Sequence, residues 1–137
     1  MSEAIEPSDH RAQRRHFSLF FRALNPARKN AAIYILRDLN IAVGGTREIG
    51  EIARNYSNSL ADDNPDKDLA IGHIARLLDS SGKNRSLWNV EAVDIEERNR
   101  EKRAALTPFG REALLEIEKI IDSGVPFRPR KPDKFVF

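Results

Sequence analysis

The sequence predicts a mainly α-helical fold carrying one small antiparallel β-hairpin, an α+β class. Apolar residues recur at helical spacing through five segments. Asn25-Pro26, Asn64-Pro65 and Thr107-Pro108 each set a capping residue before a proline. An Asn or Thr side chain accepts a bond from an orphan N–H of the first turn, and the proline after it lacks a donor that would be unpaired anyway. The period then changes after Gly82, where Trp88, Val90 and Ala92 alternate with Asn89 and Glu91.

The elements follow in order. A first helix is predicted over about 8–24, with Phe17, Phe20, Phe21 and Leu24 on one stripe. A second runs from Pro26 to about Leu39 and buries Ala32, Ile35, Leu36 and Leu39. Gly44-Gly45 breaks the chain. A short third helix, Thr46 to Tyr56, buries Ile49, Ile52, Ala53 and Tyr56. After a polar loop, a fourth covers about 65–80 with Ile71, Ile74, Ala75 and Leu78 inward, and Gly82 is placed for a left-handed cap. Leu87 to Val93 and Arg103 to Thr107 are the expected strands, with 94–101 as a charged turn. The last helix spans about 107–122, with Leu114, Ile117 and Ile121 on one face.

With 137 residues, 40% hydrophobic and 32% charged, the chain suits a single domain over 1–124. The tail, 125–137, interleaves prolines 126, 129 and 132 with basic residues. There is no cysteine, which excludes disulfides, thiolate catalysis and cysteine-ligated zinc. His10, His16 and His73 lack metal-ligand spacing, and Gly44-Gly45-Thr46 lacks the lysine of a phosphate loop. No catalytic residue, metal or cofactor is expected, so the chain is read as a non-enzyme. The polar start and the lack of an apolar run of ~20 residues argue for a cytoplasmic protein with no membrane partner.

Net charge is only +2, so the placement of charge matters more than its total. A short helix, a loop, a longer helix, a glycine and a hairpin make a winged helix-turn-helix. In that arrangement one helix enters the major groove and the hairpin reaches a flanking phosphate or the minor groove. Lys67, Ala70, His73 and Arg76 lie off the predicted buried stripe and are candidate groove-facing residues. Arg98, Arg100, Lys102 and Arg103 put four cations on the wing. Pairing with Glu96, Glu97 and Glu101 would instead make that run an ordinary solvated face. The stripe of Phe17, Phe20, Phe21 and Leu24 is either a dimer seam or simply core, and the seam is favoured, since an aromatic terminal helix in so small a chain would otherwise be a large exposed patch.

From Thr46 to the end of the last helix the sequence resembles the MarR family of bacterial regulators. The resemblance rests on the stretch from Asp94 to Leu115, where wing-tip acids and arginines lead into Leu106, Thr107, Pro108, Gly110 and Leu114. It implies an obligate homodimer built from the first and last helices, with Leu114, Ile117 and Ile121 joining the seam. It also implies a palindromic duplex-DNA operator, transcriptional regulation, and a small anionic or aromatic effector. Arg98 or Arg100 would hold the groove-contacting arginine's place. Two features depart from the family: Asn64-Pro-Asp-Lys-Asp68 brings carboxylates to the start of the reading helix, and the loop before it is long. Like-charge repulsion from phosphates there keeps open an alternative, a winged-helix module used for protein assembly.

Overall fold

A computed structural model of the chain describes residues 7–83 and 85–122, with side chains from residue 15 onward. The proline-rich basic tail lies outside the described residues. The chain is mainly helical, with one small antiparallel sheet. Its elements are α1 (Pro7–Ala23), α2 (Pro26–Asn40), β1 (Thr46–Glu48), α3 (Ile49–Ser59), α4 (Ala70–Leu77), β2 (Val93–Arg98), β3 (Glu101–Leu106) and α5 (Pro108–Asp122). A 3₁₀ turn over Pro65–Leu69 precedes α4.

The predicted caps form where the side chain sits next to its own helix. Asn25 Oδ1 accepts from Arg28 N at 2.8 Å, and Thr107 Oγ1 accepts from Gly110 N at 2.8 Å. Asn64 caps as well, accepting from Asp66 N at 2.8 Å, but what it starts is the 3₁₀ turn. Thr46 is not a cap. It opens β1, which pairs with β3, and Glu48 caps α3 by accepting from Gly50 N and Glu51 N, each at 3.1 Å.

The sheet order is β1-β3-β2. The expected strand at 87–93 is instead a turn through Trp88–Glu91, and β2 begins at Val93. Buried Ser86 fixes that turn: its Oγ donates to Asp79 O at 2.7 Å and accepts from Asn89 N at 3.2 Å. The predicted charged turn, 94–101, is mostly strand. Glu96 faces Arg103, Glu97 faces Lys102 and Arg98 faces Glu101 across the ladder, and apolar alternation marks β2 only at Val93 and Ile95.

The core joins α1, α2, α3, α4 and α5. Phe17 stacks on Phe21 with centroids 5.7 Å apart and meets Phe109 of α5 edge-on at 6.0 Å. Phe17, Phe20, Phe21, Leu114 and Ile117 are all buried within the chain, and Leu24 and Ile121 pack against that core. The expected dimer seam is therefore corrected for Phe17, Phe20, Phe21, Leu114 and Ile117, which fill their own subunit because α2 and α5 pack against α1, whereas Leu24 and Ile121 are half-buried. Lys29 is buried beneath α1, where its Nζ donates to Leu24 O at 3.0 Å and Arg22 O at 3.3 Å. This caps the end of α1, and burial lowers the lysine's pKa. Arg37 forks onto Glu118 at 2.7 and 2.8 Å, joining α2 to α5. Among the described residues, no helix is long and apolar enough to cross a membrane.

Candidate nucleic-acid interface

The hairpin turns through Asn99 and Arg100, both at positive φ, 55° and 67°. A two-residue turn with both central residues left-handed matches the twist of an antiparallel pair. It places Arg100 at the tip. The four wing cations then separate into two kinds. Arg98 reaches Glu96 at 3.1 Å, and Arg103 reaches Glu101 at 3.1 Å while its Nε donates to Thr46 Oγ1 at 2.9 Å. Arg103 thus ties β3 to β1. Arg100 and Lys102 are exposed and form no ion pair among the described residues.

The fourth helix is shorter than expected and turned about its axis. It ends at Leu77, and Gly82 takes its positive φ of 87° in the following turn rather than at the helix end. Its buried side carries Ala70, His73, Ile74 and Leu77. Ala70 is 0% exposed and His73 8%, so the expectation that these two face outward is corrected. Ile71 and Ala75, expected in the core, face solvent. The apolar set at 70, 71, 74, 75, 77 and 78 spans two overlapping stripes one residue apart, and periodicity alone does not choose between them.

Local anchoring favours one stripe. Lys67, also expected to meet DNA, donates from Nζ to Ser57 O at 2.8 Å and Leu60 O at 3.0 Å, with Asp62 at 3.7 Å. It caps α3 and fixes the 3₁₀ turn against it. The outward side of the 3₁₀–α4 segment is therefore Asp68, Leu69, Ile71, Gly72, Ala75 and Arg76. A Cβ at Gly72 would meet nothing within 4 Å, so the backbone is open to close approach there. Asp62, Asp63 and Asp68 are exposed at the start of this segment.

At the other end of α4 the charge reverses. Arg28 from the first turn of α2, Arg76 from the last turn of α4 and Arg85 from the loop beyond line a cleft of about 190 Å³. Phe20, Ala23, Leu24 and Leu77 supply its apolar lining. His73 lies in the same field. Its pKa is lowered, first by burial and then by Arg28, while Asp66 pulls the other way, and its Nε2 is buried without a hydrogen-bond partner. The sequence reading singled out Arg76 and missed Arg28 and Arg85. The three stand far apart in the chain, and no local pattern links them.

Elsewhere, α1 and α5 leave a groove of about 390 Å³ that includes Phe17, Phe109, Leu115 and Ile120. Leu19 and Leu115 are exposed on these helices. Among the described residues no group of three or more His, Asp or Glu could hold a metal ion. Comparison with protein-family models, with curated proteins and with solved structures gave no match.

Proposed function

We propose that this chain is a MarR-like winged helix-turn-helix protein that binds duplex DNA as a homodimer and regulates transcription, with no catalytic role. What carries the reading is the two-stranded hairpin with an exposed Arg100 at its tip, following the helix pair α3 and α4 and paired back through β3 to β1. This is the layout in which one helix enters the major groove and a narrow loop reaches beside it. Ile71, Gly72 and Ala75 would meet base edges, where apolar side chains distinguish the thymine methyl. Arg100 and Lys102 would meet phosphates. A second copy would cover Leu19 and Leu115, setting two α4 helices about one turn of DNA (~34 Å) apart.

Fluorescence polarisation with random-sequence duplex, from about 50 to about 200 mM salt, tests this. Log affinity should fall with log salt by about 0.9 per phosphate neutralised. The R100A/K102A variant should flatten that slope by about 1.8, for two lost phosphate contacts. No binding by the wild type at the lowest salt overturns the proposal. A second reading, a module for protein assembly, is favoured by one observation. Leu69 and Ile71 are 60% and 54% exposed on the outward side, beside exposed aspartates. It predicts that neither heparin nor random duplex retains the protein at low salt.

A further inference from the structure

We propose that Arg28, Arg76 and Arg85 form a binding site for a phosphoryl group. Five other arginines, Arg37, Arg47, Arg54, Arg98 and Arg103, each have a carboxylate within 3.7 Å, unlike exposed Arg100 at the hairpin tip and unlike Arg28, Arg76 and Arg85. These three have none among the described residues, yet three different segments bring them to one cleft. Arg28 Nε is buried with no hydrogen-bond partner. Like charges gathered without a paired carboxylate repel one another, and an unsatisfied buried donor costs free energy, so an anion entering the cleft would be favoured on both counts. The apolar lining strengthens any charge-assisted bond made there, because it lowers the local dielectric.

The number of donors indicates the ligand. A guanidinium presents a planar fork, and three arginines lining one cleft offer more donors than a carboxylate can accept. A phosphoryl group has three or more oxygens, tetrahedrally disposed, and carries up to two charges. The cleft holds one such group with a small body attached. Buried, unpartnered His73 lies in the field of Arg28 and Arg76 and would report its arrival. The site does not depend on the nucleic-acid reading, since free phosphate and a DNA phosphodiester share the same chemistry.

Two arms distinguish the sources. Isothermal calorimetry with inorganic phosphate, at ionic strength matched with chloride, is run on the wild type, R76Q/R85Q and R54Q. Polarisation with a random duplex is run on the same three proteins. Arg76 and Arg85 are exposed, so the double variant keeps its core. If free phosphate is the ligand, R76Q/R85Q weakens phosphate binding by at least about tenfold and R54Q leaves it unchanged, with the His73 imidazole resonances moving on addition of phosphate. If the ligand is the DNA backbone, phosphate alone is silent and the same double variant weakens duplex binding by at least about tenfold. The proposal is overturned if R76Q/R85Q matches R54Q in both arms.

Discussion

Replacing Gly110 with alanine should destabilise this protein, although the same change in a helix is ordinarily favourable. Gly110 lies in the first turn of α5, where alanine gains at most about 1 kcal/mol in helix propensity. A Cβ built there would stand 2.0 Å from Ala92 O and 2.9 Å from both Ala92 C and Leu106 Cδ1. Ordinary contact begins at 3.4 Å, so α5 and the Ala92 backbone must separate by roughly 1.4 Å. Two donors of Thr107 span that junction: its N–H donates to Ala92 O at 3.1 Å, and its Oγ1 donates to Glu91 O at 2.6 Å with Ala92 O also in reach at 3.1 Å. Their loss costs about 1 kcal/mol each, and forced displacement of a packed segment costs a further ~1–3 kcal/mol. Net of the propensity gain, G110A should lose about 2–4 kcal/mol. Urea unfolding followed by circular dichroism should then show the midpoint falling by about 1–2 M. G72A is the control: open space surrounds that position, so the variant should gain about 0.4–1 kcal/mol. A G110A midpoint equal to or above the wild type would refute the close approach of α5 to Ala92.

Two other substitutions test side chains that the sequence alone misplaced. Lys67→Met should lower stability by about 1–2 kcal/mol by uncapping α3, and should leave the salt slope of any DNA binding unchanged. His73 is held below its ordinary value of 6.5 in the folded chain, chiefly by burial. Its neutral form therefore stabilises the fold above pH 6.5, and that contribution is lost as pH falls through the lowered folded value. Thermal unfolding between about pH 7.5 and about pH 5.5 should show a steeper acid-side loss for the wild type than for His73→Leu. Equal slopes would remove His73 from the account.

Features fixed by neighbours in sequence were legible. Asn25 and Thr107 cap as expected because cap and capped N–H are three residues apart. The spacing of Phe17, Phe20 and Phe21 gave the helix, though not its partner. Whether the stripe meets another subunit or α5 depends on contacts such as Phe17 to Phe109, which the local pattern does not contain. β1 was invisible for a similar reason: three residues with no alternation become a strand because Thr46, Arg47 and Glu48 pair with Ala105, Ala104 and Arg103. The alternation at Trp88–Ala92 misled because polar–apolar order says nothing about Ser86 folding the segment back on Asp79. In the candidate site, Arg100 and Lys102 are exposed and form no ion pair among the described residues. The exposed side of α4 differs from the expected one, with Ala70 and His73 inward and Ile71 and Ala75 outward.

The charge on α4 has two explanations that come apart at Arg28. Acids near a helix start and an arginine in its last turn both suit the helix dipole, so Asp68 and Arg76 require no ligand. Arg28 is different. It occupies the first turn of α2, where the dipole opposes a cation by about 0.3–1 kcal/mol, and its Nε is buried without an acceptor. The proposed phosphoryl site would account for a residue placed at such a cost. Arg28→Gln should therefore leave stability unchanged or raise it by up to about 1 kcal/mol, while phosphate or duplex affinity falls. If R28Q instead loses more than about 1 kcal/mol, the arginine's aliphatic stem is a packing element beside Leu24 and Leu77, and the cleft needs no anion to account for it.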